Sequence, residues 1–220
     1  KEKKMSYSMS VPNNAFMSKV MMMLALTMLP TIAGLFVGIK MIATIAAMGV
    51  WFPILFFVVL MGFVFLLSSM KDSPLGFLLL FVFTFFMGFV MSSSIAYYLA
   101  SPGGVELIIK AFAITIIIFF AMGFIGMTTK KDLSGMGSIL FVILIGLIIA
   151  AIVNIFIGST ILSFITSAIS AIVFSLFIMY DINRICNGFE TSVIRATLNL
   201  YLDFINLFMS LLNILGLSKD

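Results

Sequence analysis

Residues 195–213 read RATLNLYLDFINLFMSLLN. In this stretch Arg195, Asn199, Asp203, Asn206, Ser210 and Asn213 follow one another at steps of 4, 4, 3, 4 and 3. At ~100° per residue they fill a helical sector only about 80° wide. The remaining positions are almost all apolar. The spacing predicts an apolar helix with one polar stripe. Inside a bilayer such a stripe must face protein or water, because lipid cannot satisfy it. The simplest architecture therefore places this last helix at the centre of a bundle, with the others packed around it.

The rest of the chain points to a bilayer as its solvent. Its 220 residues carry 12 basic and 8 acidic side chains, 63% are hydrophobic, and there is no histidine. A soluble domain is about half apolar and about a quarter charged. This chain has too little polar surface to cover a water-soluble globule, which excludes a soluble enzyme, a secreted domain and a disordered chain. Apolar runs between charges predict spans near 20–39, 50–69, 76–99, 107–127, 138–157, 162–181 and 192–214. Each approaches the roughly 20 residues that a membrane crossing needs. The fold class expected is an all-α polytopic membrane protein, a seven-transmembrane-helix bundle with a central C-terminal helix. Residues 1–18 read as a cytoplasmic tail, 19–216 as a single transmembrane domain, and 217–220 as a short C-terminal tail. Short connections at 71–74, 101–104 and 130–132 imply antiparallel neighbours.

Lys and Arg set the expected orientation. Lys1, Lys3, Lys4, Lys19, Lys71, Lys130, Lys131, Arg184 and Arg195 fall on one side; Lys40, Lys110 and Lys219 fall on the other. The richer side is the cytoplasmic one, so the N-terminus is expected there. Basic residues distributed in this way serve topology, and no nucleic-acid partner is expected. The single cysteine, Cys186, rules out an intrachain disulfide. Without histidine, zinc hydrolases and histidine proton relays are poor hypotheses, and no cofactor is called for. Gly34 with Gly38, and Gly123 with Gly126, mark close helix contacts without specifying function. The Phe-rich third span (Phe77, Phe81, Phe83, Phe85, Phe86, Phe89) reads as lipid-facing bulk.

Chemistry concentrates in the last two segments. Ser163, Ser167, Ser170 and Asp181 fall within about 60° on a helical wheel. If that face meets the stripe, Asp181 and Asp203 approach each other. Two buried carboxyls in proximity cannot both ionise cheaply, so they share a proton and become dianionic as pH rises. Such a pair is a proton sensor built without histidine, and when ionised it is an oxygen-rich locus for a cation such as calcium. The bland alternative stands beside it: Asp181 pairs with Arg184 at i,i+3, and Arg195 and Asp203 on one face serve as structural glue. An intramembrane aspartyl hydrolase is a third possibility, since Tyr180-Asp181 matches half of that motif. Its partner motif needs a glycine before the aspartate, and Leu202 stands there; the chain reads as a non-enzyme.

MYDINRI (179–185) and RATLNLYLDFINLFMSLLNILG (195–216), supported by KKDLSGMGSILF (130–141), resemble the Bax inhibitor-1 family, also called transmembrane Bax inhibitor motif proteins. ETSVIRAT (190–197) is similar to the bacterial branch, and the resemblance covers roughly residues 15–216. It implies a seven-helix bundle with a central C-terminal helix, in the bacterial cytoplasmic membrane. It also implies a pH-sensitive calcium leak in which Asp181 and Asp203 act as sensor and cation locus. In calcium-leak relatives an arginine at the cytoplasmic end of the second helix latches onto this pair. Here that region reads Ser68-Ser69-Met70-Lys71, so Lys71 would supply a point charge without the bidentate fork. Lys71, Arg184 and Arg195 are thus the candidate charge partners. A bacterial subgroup is further associated with a membrane-anchored AAA protease through its N-terminal tail, which offers a non-conducting regulator as the second reading.

Overall fold

The structure, a computed structural model, describes residues 14–70 and 72–218. Their regular structure is entirely helical: α1 (Asn14–Lys40), α2 (Ile42–Met48), α3 (Trp51–Ser69), α4 (Pro74–Ala100), α5 (Gly104–Thr128), α6 (Ser134–Ile157), α7 (Thr160–Cys186) and α8 (Val193–Leu217). All but α2 are long and apolar enough to cross a membrane, giving seven candidate spans. The positions expected of the N-terminal tail before Asn14, of Lys71 and of residues 219–220 lie outside the described residues.

Three boundaries differ from the sequence expectation. α1 begins at Asn14, within the stretch read as tail, and continues through Pro30 to Lys40. The first connection contains a short helix, α2, that charge-bounded apolar runs do not reveal. α7 runs to Cys186, so Asp181 lies inside a continuous helix rather than at its end. α8 is a single uninterrupted helix of 25 residues, about 37 Å at 1.5 Å per residue and long enough for a full crossing.

α8 is the central element. It packs against α1, α3, α4, α5 and α7, whereas α6 leans on α7 at the edge of the bundle. Half of the most apolar stretch of α8 is buried inside protein, against 33% or less in the other spans. The most extensive helix pair is α1 with α4, and small residues make it possible. A Cβ at Gly34 would overlap the Phe85 carbonyl, and one at Gly88 would overlap the Thr31 carbonyl. Such close backbone approach replaces the hydrophobic driving force that lipid removes. Gly126 allows α5 the same approach to the Met179 carbonyl of α7.

α8 is pinned to the α1–α4 pair by Tyr201, which is fully buried. Its hydroxyl lies 2.8 Å from Thr31 Oγ1 and donates to the Thr84 carbonyl at 3.4 Å. The Phe83 ring packs edge-on against it at 6.1 Å. This corrects the lipid-facing assignment of the Phe-rich span: Phe83 is fully buried, and Phe86 and Phe89 stack with Phe56 of α3. Lipid and protein interior are equally apolar, so phenylalanine content alone does not distinguish them.

A carboxylate from the α3–α4 connection holds the N-terminus of α8. Asp72 accepts from the Ser192 hydroxyl at 2.7 Å and from the N–H groups of Val193 and Ile194 at 2.8 and 3.1 Å. Ser192 in turn caps the Arg195 N–H. These are donors that a helix start leaves without intrahelical partners, placed where the helix dipole favours an anion. Burial pushes the Asp72 carboxyl up, but the Ser192 hydroxyl and the two N–H groups outweigh it, and it titrates below its ordinary range.

Two stability predictions follow from this packing. Gly88→Ala should lower the thermal midpoint in detergent, by an overpacking cost of about 1–3 kcal/mol. Gly62→Ala, where a Cβ meets nothing within 4 Å, should leave the midpoint unchanged or raise it, since alanine gains helix propensity. Asp72→Ala should cost about 1 kcal/mol at neutral pH, the usual worth of a cap. Because the folded carboxyl is held low, its contribution is complete above the ordinary carboxylate range. It is lost as pH falls through the depressed value, so wild type and Asp72→Ala should converge only in strong acid.

Candidate functional site

α7 and α8 run antiparallel and are joined by residues 187–192, a connection in which Gly188 takes a left-handed turn at φ 73°. This hairpin brings the two aspartates together. Asp181 and Asp203 are 7% and 5% exposed, and their carboxyl groups lie close enough to act on each other. Asn199, one turn before Asp203, lies beside Asp181. Two carboxyl groups can hydrogen-bond only when one of them carries a proton. Asp203 Oδ2 is buried and has no hydrogen-bond partner among the described residues. A buried acceptor of this kind is costly unless a shared proton or a cation meets it.

The flanking charges are placed differently from the sequence expectation. Arg184 lies near enough for its charge to act on Asp181. It forms no ion pair within 4 Å among the described residues, however, and its guanidinium sits over the Tyr180 ring at 5.5 Å. Arg195 does not partner Asp203. It turns toward the helix start and pairs with Glu190 at 2.9 Å. The reason is reach: Glu190 Oε1 also accepts the N–H groups of Thr191 and Ser192 at 2.8 Å each, so a fixed carboxylate is already presented beside Arg195. Burial raises the Glu190 carboxyl, but the Arg195 guanidinium and these N–H groups hold it below the usual range. Arg195 thus belongs to the loop network together with Asp72.

The rest of the stripe divides into two parts. Asn206 donates to the Leu202 carbonyl and Ser210 to the Asn206 carbonyl, both within α8. Asn213 reaches across the interface, donating to Ser163 Oγ at 2.9 Å and Ser167 Oγ at 2.7 Å, and accepting from Tyr98 of α4 at 3.0 Å. The serine face of α7 therefore meets the stripe of α8, as the helical wheel predicts. Ser163, Thr166, Ser167, Ser170, Asn154 and Asn213 line a cavity of about 350 Å³ between α6, α7 and α8. It is an open pocket near the α6–α7 connection, and its lining does not include the aspartates.

Sequence reasoning missed Asp72, Glu190 and Asn183. Asn183 is buried and donates to the Gly126 and Thr129 carbonyls at 3.2 and 2.8 Å, closing the C-terminal end of α5. The signal for Glu190 was Ser192-x-x-Arg195 preceded by an acid, a helix-start pattern read only for its family likeness. For a metal, no group of three or more His, Cys, Asp or Glu side chains converges among the described residues. The pair offers two carboxyls and the Asn199 amide, fewer than the six to eight oxygens of a calcium cage.

Comparison with known proteins shows the family. A family model described as inhibitor of apoptosis-promoting Bax1 matches residues 13–220. An uncharacterized protein of Campylobacter jejuni is 39% identical over 202 residues, 91% of this chain and 87% of that protein. An uncharacterized membrane protein of Vibrio cholerae is 37% identical over 199 residues, 90% of this chain and 86% of its own length. A protein of Helicobacter pylori is 34% identical over 194 residues, 84% of each chain. With seven candidate spans around a central last helix, the chain belongs to the Bax inhibitor-1 family of integral, multi-pass membrane proteins.

Proposed function

We propose that the protein is a pH-sensitive cation leak, with calcium the leading candidate, gated by the Asp181–Asp203 pair. The observation that carries this is the approach of two buried carboxyls on neighbouring helices, with Asp203 Oδ2 lacking any hydrogen-bond partner among the described residues. While the pair holds a proton, one carboxyl can donate to the other and tie α7 to α8. When both carboxylates are charged they repel, and a cation between them becomes favourable. Two carboxyls and one amide give a weak site, which suits a path where an ion must leave as well as enter. Arg184 adds a positive charge on the Asp181 side, whereas Asp72 and Glu190 stay charged through the neutral range and hold the α8 N-terminus fixed.

We place the protein in the bacterial cytoplasmic membrane with the N-terminus inside, on the Lys and Arg asymmetry. No enzymatic role is proposed. Modulation of a membrane-anchored AAA protease would act through the N-terminal tail, and nothing in the described residues favours it over conduction.

The test is calcium flux into proteoliposomes against pH. Wild-type protein should show a flux that changes about tenfold or more across the titration of the pair, a coupling of about 1.4 kcal/mol. Asp181→Asn and Asp203→Asn keep the size and a hydrogen-bonding amide but cannot titrate, and each should flatten the profile. A wild-type profile in both variants would sink the proposal.

A further inference from the structure

The cavity between α6, α7 and α8 is not used by the aspartate chemistry, yet it lies on the same two helix faces. Its polar lining comes from Ser163, Thr166, Ser167 and Ser170 of α7, Asn154 of α6 and Asn213 of α8, and α6 adds apolar side chains. The α7 face that carries these serines also carries Asp181. At ~100° per residue, one other residue between Ser170 and Asp181 falls inside that sector. It is Phe174. Its side chain is 8% exposed, belongs to the main core cluster, and packs against the Phe177 ring at 6.2 Å. The cavity lining stops short of it.

On α8 the stripe is continuous over the same depth. Asn206 and Ser210 lie between Asp203 and Asn213, a rise of about 15 Å over ten residues. Both hydroxyl and amide spend their donors on α8's own carbonyls. One helix therefore offers polar groups along the whole path, and the other interrupts it with a phenylalanine. Narrow apolar constrictions of this kind stop ions by excluding water and need no charge to do so.

We propose that the α6–α7–α8 cavity is a water-filled vestibule for hydrated cations, and that Phe174 is the apolar gate separating it from the aspartate pair. This rests on the cation-leak reading and extends it with an entrance and a barrier. The hydroxyls and amides in this uncharged lining suit the entrance, since they solvate a cation without trapping it. At ~30 Å³ per water, the volume accommodates about ten waters, enough for an ion with its first shell.

The experiment has two arms, both in a Cys186→Ser background. In the first, a charged, membrane-impermeant methanethiosulfonate is added to proteoliposomes, inside and out, carrying Ser170→Cys or Ile172→Cys. Ser170→Cys in the cavity should react about tenfold faster or more than Ile172→Cys, which is 63% exposed on the lipid-facing surface where impermeant reagents do not reach. Equal or absent labelling at Ser170→Cys overturns the vestibule. In the second arm, calcium flux is measured for Phe174→Ala and Phe174→Leu. Phe174→Ala should raise flux about tenfold or more, whereas Phe174→Leu keeps an apolar plug and should stay near wild type. Flux in Phe174→Ala at or below wild type overturns the gate, even where wild type conducts and the leak reading stands. Flux in Phe174→Ala with none in wild type at any pH supports the gate and overturns the pH-gated leak.

Discussion

A polar stripe on a membrane helix is the constraint from which this structure follows. Arg195 to Asn213 cannot face hydrocarbon, so α8 must be surrounded by protein, and the other spans are arranged to do that. Each stripe group then finds a local answer. Arg195 is drawn to Glu190 at the helix start, Asn206 and Ser210 bond their own backbone, and Asn213 gathers two serines and a tyrosine. Asp203 Oδ2 has no hydrogen-bond partner among the described residues. Among the described residues of the stripe it is the buried group left without a partner, and a function can be built on it.

The two ends of α8 are held in different ways, and the difference matters for motion. At its start, Asp72 and Glu190 supply fixed charges to backbone N–H groups. In the middle, Tyr201 is locked between Thr31 and Thr84 on the tightly packed α1–α4 pair. α7, in contrast, packs between α5 and the peripheral α6. Phe174 and Asp181 ride on the same face of α7, so one displacement would disturb both the pair and the apolar barrier.

Much of this was legible in residue spacing. The stripe on α8 and the serine–aspartate face of α7 could be matched before any coordinates, because period 3.6 is imposed by the backbone and burial of polar groups is imposed by lipid. What spacing could not supply was the partner of each charge. Arg195 and Asp203 share a face, yet Arg195 bonds Glu190, because a long side chain near a helix end can choose the loop over the span. Asp72 lies 120 residues from Ser192 in the chain, and nothing local marks it as a cap for another helix. The phenylalanines of α4 were assigned to lipid because composition cannot say which apolar face meets protein.

The central claim is that the two aspartates depend on each other, and a double-mutant cycle in thermal stability tests it most directly. Asp181→Ala and Asp203→Ala each strand the remaining buried carboxyl, while the double variant removes both. The account predicts that the double variant is no less stable than the worse single one, a coupling of about 1 kcal/mol or more. Stability losses that simply add would contradict it.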